Sequence, residues 1–388
     1  MRKLLLLYVI LFAYSCSNTI KLVDALDNEK IVFSKNKQEK FSIDGHGFLV
    51  VDAKVNDKKF NFIVDTGAGM FLFFDKSYID TFNKNEKNYF PFPKIASIKT
   101  PDKKGFNKIK AFIIDSLKTN IFNAKNKVAM IMNNKFIKNY CQLNEEVVGI
   151  IGNDIFYSAD NPIFFNFNDS LIGLANKELY KSGFKIIESK FMTGNKIKLK
   201  LFINNNEYWF VFDTGYSGTL HLRNAEFKNQ KFTIKEINIF VDGKPKINKI
   251  NIYNNVNIKL SDTINLKGQI ESSDKIKFNL LGIKFIKSFD WIIDYKNKEV
   301  FFRPNNKFKS LNKILNSKLF KIKAKIIDNK LIISSKPVDN NKYNLGDIII
   351  AINDTKITDD NICEMQGKLS KTNNWDSFNI TIKGNIFN

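Results

Sequence analysis

Short apolar runs separated by turn residues fill most of the chain. The runs either alternate with polar positions or stay apolar for about four to seven residues, with Gly, Asn and Asp between them, a pattern typical of small antiparallel barrels. Long helical periodicity is scarce, and only residues 77–83 and 176–180 predict short helices. The pattern therefore predicts an all-β fold.

The chain repeats itself without a gap in residues 55–67 and 203–215. Each copy predicts a strand, a polar turn and a second strand that ends in Asp-Thr-Gly, at Asp65 and at Asp213, which are 213 − 65 = 148 residues apart. The turns contain Asn and Asp, which tolerate a left-handed backbone. The apolar runs 62–64 and 210–212 are typical of strands covered on both faces.

An apolar-apolar-Gly element follows each copy and ends at Gly152 and at Gly282. The first copy has 87 − 69 = 18 more residues between its Asp and its Gly (152 − 65 = 87 against 282 − 213 = 69), which we expect in loops. A further strand follows in each half, over residues 163–167 and 291–295. The duplication predicts two β-rich lobes related by a pseudo-twofold axis, with Asp65 and Asp213 facing each other.

Two carboxylates held close together can hydrolyse a peptide bond without a metal or a covalent intermediate. One takes a proton from water while the other gives a proton to the carbonyl oxygen. Because like charges in a confined site raise one pKa strongly, the pair shares one proton and titrates as a unit. Gly67 and Gly215 would let each loop approach its partner, where a Cβ would clash. The hydroxyls of Thr66 and Thr214 can bond to backbone.

These features resemble the two lobes of a pepsin-type or retropepsin-type aspartic peptidase, over roughly residues 40–305. By that resemblance Asp65 and Asp213 would hold the lytic water, Thr66 and Thr214 would cross-brace the two loops, and the elements at 150–152 and 280–282 would pass behind them. The implied supporting residues are Thr66, Gly67, Ala68, Gly152, Thr214, Gly215 and Gly282.

The residue after each triplet differs from that of acid-adapted relatives. Ala68 follows the first triplet, as in the retroviral type, and Tyr216 follows the second, where a small residue is usual. Neither supplies a hydroxyl donor to the carboxylates. Since a carboxylate with fewer donors keeps a higher pKa, we predict activity nearer neutral than strongly acidic pH.

The resemblance also implies flaps and a further module. Residues 98–113 are the candidate β-hairpin flap of the first lobe, and residues 241–245 mark an equivalent in the second. Past about residue 307 the repeat is lost, and residues 345–353, Leu-Gly-Asp-x-Ile-x-x-Ile-Asn, resemble a PDZ domain. PDZ domains bind extended peptides by adding a strand to a sheet edge. The predicted regions are a leader (1–16), two peptidase lobes (40–180 and 190–305) and a PDZ-like domain (318–388).

The leader predicts export. Arg2 and Lys3 precede an apolar run over residues 4–14, which is far shorter than the ~20 residues that span a bilayer and is typical of a signal peptide. Residues 12–16 resemble a bacterial lipobox, which implies cleavage before Cys16 and lipid attachment to it. The alternative is an ordinary secretory signal that leaves Cys16 unmodified. We therefore predict an exported, membrane-anchored lipoprotein that faces the periplasm or the cell surface.

The net charge of +22 does not indicate nucleic acid. Lys and Asn are scattered along the chain, and the joint excess of Phe, Ile, Asn and Lys favours AT-rich codon bias, with attraction to anionic lipid or glycan as the alternative. Two His and no Cys cluster predict neither metal nor cofactor. Cys141 and Cys363 are expected to be buried apolar residues.

The sequence thus predicts a monomeric aspartic endopeptidase that acts on peptide or protein substrates. The contrasting hypothesis is a catalytically silent, surface-anchored peptide-binding protein that uses the same cleft and the PDZ-like domain.

Overall fold

The computed structural model describes residues 22–44, 47–81, 89–91, 110–131, 147–180, 182–229, 231–239, 245–316, 322–372 and 375–387. The predicted leader and Cys16 lie outside these residues, so export and lipid attachment stay predictions. In the described part of the chain, no helix has the length and apolar character needed to cross a membrane.

Most of the described chain is strand, which confirms the all-β prediction. The strands of the first region are β1 (Lys30–Phe33), β2 (Gln38–Lys40), β3 (Ser42–Ile43), β4 (Leu49–Val55), β5 (Lys58–Asp65), β6 (Leu72–Phe73), β7 (Tyr89–Pro91), β8 (Lys110–Lys118), β9 (Phe122–Ile131), β10 (Val147–Gly152), β11 (Ile163–Asn166) and β12 (Leu171–Leu174). Those of the second are β13 (Lys185–Ile187), β14 (Ser189–Met192), β15 (Lys196–Ile203), β16 (Asn206–Asp213), β17 (Leu220–Arg223), β18 (Lys231–Ile239), β19 (Pro245–Ser261), β20 (Ile264–Ser273), β21 (Leu280–Gly282), β22 (Phe289–Asp294) and β23 (Glu299–Pro304). The tail has β24 (Lys323–Ile327), β25 (Lys330–Pro337), β26 (Asp347–Ile352), β27 (Thr355–Lys356) and β28 (Ile380–Asn385).

The helices are short. They are α1 (Lys76–Asp80), α2 (Asn153–Tyr157), α3 (Lys177–Tyr180), α4 (Ile283–Ile286), α5 (Leu311–Leu315) and α6 (Ile362–Lys371), with 3₁₀ turns at Asn306–Ser310 and Trp375–Ser377. Helices were predicted at the positions of α1 and α3. The predicted pattern missed α2 and α4, because helices of five and four residues, three of them buried in each, are too short to show a helical period.

The sequence repeat folds into two equivalent closed barrels. In the first, six strands pair in the ring β4-β5-β10-β6-β9-β8 and back to β4. In the second, the ring is β15-β16-β21-β17-β20-β19 and back to β15. Each pairing has a counterpart of the same sense, including the parallel pairs β5·β10 and β16·β21. The two repeats therefore share the same strand order and the same directions of strand pairing.

Tight turns at the same place in each lobe explain the register of the first hairpin. Asn56 and Asp57 join β4 to β5 with φ of 45° and 67°, and Asn204 and Asn205 join β15 to β16 with φ of 48° and 68°. Two successive left-handed residues form the turn that matches the twist of a two-residue hairpin. The predicted turn residues thus fix the strand that ends in each aspartate.

A six-stranded sheet joins the two lobes in the order β13-β23-β22-β11-β12-β2. Its centre is the antiparallel pair of β11 and β22, in which Phe165 lies opposite Trp291. The two further strands predicted for the separate halves therefore pair with each other. Trp291 is fully buried and packs against Phe212, with ring centroids 5.0 Å apart, so one core continues from the joining sheet into the second barrel.

The tail is built on a strand of the second lobe. The predicted strand after residue 345 is β26, flanked by left-handed Gly346 (φ 88°) and Asn353 (φ 47°). Its neighbour β25 also pairs with β18 of the second lobe. The PDZ resemblance of this region stays a prediction, as do the predicted domain boundaries. The expectation that Cys363 is buried is wrong, because it lies exposed on α6.

Candidate active site

The two aspartates occupy the same position in each barrel. Asp65 is the last residue of β5, and Asp213 is the last residue of β16. The parallel neighbours β10 and β21 end beside them, with Gly152 opposite Asp65 and Gly282 opposite Asp213. Both apolar-apolar-Gly elements therefore pass directly beside the aspartate loops, as the resemblance implied.

The structure brings the two aspartates together. A Cβ built on Gly67 would collide with the carboxylate of Asp213, and one built on Gly215 would collide with that of Asp65. Each carboxylate thus fills the space left by the glycine of the opposite loop, and the two side chains hydrogen-bond to each other. Only glycine permits this approach at both positions.

Thr66 and Thr214 link the loops through a symmetric set of hydrogen bonds. The Thr66 N–H donates to Thr214 Oγ1 (3.0 Å), and the Thr214 N–H donates to Thr66 Oγ1 (3.1 Å). The Thr66 hydroxyl donates to the carbonyl of Phe212 (2.8 Å), and the Thr214 hydroxyl donates to that of Val64 (2.7 Å). Both threonines are fully buried, so these bonds hold the loops in a fixed relation inside the core.

The environment of the two carboxylates is not symmetric. Asp65 Oδ1 accepts from the N–H groups of Gly67 (2.8 Å) and Ala68 (3.0 Å), whereas Asp213 Oδ1 accepts from Gly215 alone among the backbone donors described (3.0 Å). Burial raises the pKa of Asp65, and these donors oppose the rise. Burial and the negative charge of Asp65 raise the pKa of Asp213 well above its usual range. The shared proton therefore belongs on Asp213, and Asp65 is the anion.

Tyr216, the residue that departs from the family pattern, turns into the second lobe. Its ring lies against Gly218 and Gly282, which have no side chains to obstruct it. Its hydroxyl donates to Glu271 Oε2 (2.6 Å), and its ring packs edge-on against buried His221 with centroids 6.4 Å apart. Burial raises the pKa of Tyr216, so the phenol stays a hydrogen-bond donor at neutral pH.

The segments after the two glycines brace the same loops. The Asn153 N–H donates to the carbonyl of Ala68 (2.8 Å), and the Ile283 N–H donates to that of Tyr216 (2.9 Å). In the first lobe, the buried Tyr295 hydroxyl also donates to Asn153 Oδ1. Each aspartate loop is therefore held from behind by the first residue of a short helix, α2 or α4.

Lys196 is a charged residue at this site that the sequence did not predict. It begins β15, and its charge acts on both Asp65 and Asp213, where it lowers both pKa values against the effect of burial. Burial in turn lowers the pKa of Lys196. The equivalent position in the repeat, 196 − 148 = 48, is a phenylalanine, Phe48, so the alignment marks a difference at this position but not its closeness to the aspartates. A cation in one copy and an aromatic ring in the other mark a difference between the lobes.

The predicted flaps are described only in part. Of residues 98–113, the described ones are 110–113, which belong to β8. In the second lobe, β18 and β19 form an antiparallel hairpin up to the pair Ile239 and Pro245, and its turn lies outside the described residues. Among the described residues, no group of three or more His, Cys, Asp and Glu could hold a metal ion.

Comparison with known proteins gives only distant similarity. No family model matches the chain, and no curated protein matches it. Among solved structures, it is similar to a retropepsin-like aspartic protease from Rickettsia conorii, with 14% identity, 37% of this chain and 90% of that chain covered, and a TM-score of 0.23. It is also similar to Basic 7S globulin from soybean, with 7% identity, 74% of this chain and 99% of that chain covered, and a TM-score of 0.41. Both TM-scores are low, so the function proposed below rests on the geometry of this chain.

Proposed function

We propose that the chain is an aspartic endopeptidase in which Asp65 and Asp213 activate a water molecule against a peptide bond. The observation that carries the proposal is the mutual approach of two aspartates from equivalent loops, each in the space beside the other's glycine. Asp65 and Asp213 are partly exposed as residues, which leaves an approach for a water and a peptide carbonyl. A carboxylate pair of this kind supplies a base and an acid from identical residues.

The asymmetry of the pair assigns the first proton transfers. Asp65, whose anion accepts two backbone N–H groups, would take a proton from the water as the oxygen attacks the peptide carbon. Asp213, whose pKa is raised further, would give its proton to the carbonyl oxygen. The tetrahedral diol would then collapse as the carboxyl of Asp65 protonates the leaving nitrogen and the diol returns a proton to Asp213. The pair ends in its starting state.

The pH range of activity follows from the same carboxylates. Because burial raises the pKa of both aspartates, the singly protonated pair persists at higher pH than it would with ordinary carboxyl groups. This supports the predicted activity nearer neutral than strongly acidic pH. In the proposed setting the chain is exported and anchored through Cys16, and the 318–388 tail, PDZ-like in sequence, captures an extended peptide at a sheet edge.

A cleavage assay on a peptide library, with the full chain and its Asp213→Asn variant, tests the proposal. We expect cleavage by the wild type and a loss of about a thousandfold or more in the variant, since removal of one partner of an acid–base pair removes the chemistry of both. Asp262→Asn is the matched control, because Asp262 is an exposed aspartate that pairs with Lys259 on the surface of the second lobe. It should retain full activity.

The assay also separates the two functions. Equal cleavage by the wild type and Asp213→Asn would refute the aspartate pair. Peptide binding without cleavage by the wild type at any pH between 3 and 8 would instead favour the non-catalytic peptide-binding protein.

A further inference from the structure

The turn before Lys196 is fixed against the catalytic loop of the opposite lobe. Residues 193–195 connect β14 to β15 and close on the antiparallel pair of Met192 and Lys196. The carbonyl of Asn195 accepts a hydrogen bond from the side chain of Asn153. The carbonyl of Gly194 lies against Gly69, where a Cβ would be 2.7 Å from it. Because both contacts reach residues next to the Asp65 loop, Lys196 leaves the turn at a defined place between the lobes.

The ammonium group of Lys196 lies over an aromatic ring, and its charge acts on the aspartate pair. Its Nζ is 4.7 Å from the ring centroid of Phe278, which lies two residues before β21. A cation over an aromatic face is attracted by the ring quadrupole, which orients the lysine without neutralising it. Within the described residues Lys196 makes no salt bridge, and the carboxylates that act on it are those of Asp65 and Asp213. Among the described residues, its charge is thus balanced by Asp65 and Asp213.

The two lobes differ in charge at the position of Lys196 in the repeat. The first-lobe counterpart, Phe48, is a partly buried residue packed on the apolar cluster around Val50, Ile63 and Leu72. The equivalent strand position therefore has a cation in the second lobe and an apolar ring in the first. A peptide that lies across the pair meets different chemistry on its two sides, which is the basis of directional specificity.

We propose that Lys196 is a specificity-determining residue that binds an acidic side chain, Asp or Glu, of the peptide next to the cleaved bond. The inference rests on the proposed peptidase function. Without Lys196, a substrate carboxylate in this place would be repelled by the singly negative aspartate pair. With Lys196 present, the carboxylate would gain a charge-assisted hydrogen bond, and the desolvation of the lysine would be offset.

The test uses the full chain and peptides in matched pairs that differ only by Glu against Gln at each position beside the cleaved bond. For the wild type, kcat/KM should be higher for the Glu peptide at one position. In Lys196→Met, which keeps the stem that packs on Phe278, this Glu/Gln ratio should fall by about tenfold, the size of one charge-assisted hydrogen bond. Lys196→Arg should restore most of the ratio. Lys198→Met, two residues along the same strand, should leave it unchanged.

The pH profile of kcat/KM is a second measurement, and a purely structural role of Lys196 would leave it unchanged. Lys196 lowers the pKa of both aspartates, so its removal should shift both limbs of the bell-shaped profile to higher pH. The charged groups that act on Lys196 are Asp213, Asp65 and Lys198. Lys198→Met should therefore move the profile much less than Lys196→Met does.

Binding measured in the Asp213→Asn background tests the inference apart from catalysis. The Glu peptide should bind more tightly than the Gln peptide to Asp213→Asn, and about equally to the Asp213→Asn, Lys196→Met double variant. An unchanged Glu/Gln discrimination in the double variant would overturn the role of Lys196, whatever the cleavage assay gives. An inactive wild type that still shows Lys196-dependent discrimination would refute the peptidase and retain the acidic-peptide subsite.

Discussion

At the scale of single residues, Asp65 and Asp213 share a site in which burial and mutual repulsion both disfavour ionisation. The pKa of each is raised, so the folded protein binds protons at these groups more tightly than the unfolded chain does. Such groups stabilise the fold fully when the pH is below about 3.9, the pKa of an aspartate in the unfolded chain. This stabilisation is lost as the pH rises through the pKa of the folded state. The pair therefore costs stability at neutral pH.

Asp213→Asn should for this reason unfold at a higher temperature than the wild type at pH 7. At pH 7 the carboxyl of Asp213 must take up a proton on folding, whereas the amide needs none and can still donate a hydrogen bond to Asp65. The difference should shrink as the pH falls towards 4, where the carboxyl groups of the unfolded chain also become protonated. Thermal unfolding followed by circular dichroism at several pH values measures it, with the surface variant Asp262→Asn as control. A variant less stable than the wild type at pH 7 would contradict the assigned pKa directions.

The residues of the pair could be predicted from the sequence because the repeat aligns them. Asp65, Thr66 and Gly67 have counterparts 148 residues on, and their chemistry suggests what they do together. Lys196 could not be assigned in the same way. It approaches the pair only because the turn at residues 193–195 crosses to the other lobe, a contact that no local pattern encodes.

At the scale of elements, a buried charge cluster ties the segment before β1 to the first barrel. Lys127 in β9 has a side chain only 2% exposed, and its Nζ contacts Glu29 Oε2 (2.9 Å) and Asp154 Oδ2 (2.6 Å). The two carboxylates raise the pKa of Lys127 against the cost of burial. Burial raises the pKa of Glu29 even beside this cation. Asp154 lies in α2, directly behind the Asp65 loop.

Lys127→Met should destabilise the protein by about 3–5 kcal/mol, because it leaves two buried carboxylates facing each other. Lys125→Met, an exposed lysine on the same strand, should change stability by less than about 0.5 kcal/mol. Urea unfolding of the full chain measures both. Equal, small effects of the two substitutions would show that water or a rearrangement compensates the cluster.

The positions of the strands could be predicted from the sequence more easily than the partner with which each strand pairs. Alternation and turn residues indicate strands such as β4, β5, β15 and β16 and the hairpins that join them. The rings close through partners far apart in sequence, such as β6 with β9 and β17 with β20. These pairings depend on burial of both faces of the whole barrel and not on any single segment. The same reason explains why β11 and β22, expected in separate lobes, pair with each other.

At the scale of the whole molecule, the tail continues the sheet of the second lobe. Strand β25 pairs with β18, the outer strand of the second-lobe hairpin, with Lys235 opposite Lys336. Beside this ladder, Lys325 of β24 forms a salt bridge with Glu236 of β18 (3.0 Å), whose side chain is 18% exposed. The β18–β19 hairpin is thus held at its outer edge by the tail. Movement of this hairpin would require movement of the tail.

Deletion of the tail after residue 316 should expose the N–H and C=O groups of β18 that now pair with β25. We expect hydrogen exchange at Lys235, whose N–H faces β25, to become at least tenfold faster in the shortened chain, since a paired edge becomes a free one. Amides of β16, inside the second barrel, serve as the internal control and should keep their protection. If the protection of Lys235 were unchanged, the ladder between lobe and tail would not be a stable part of the fold. Faster exchange at both places would mean that the tail supports the whole barrel and not the hairpin alone.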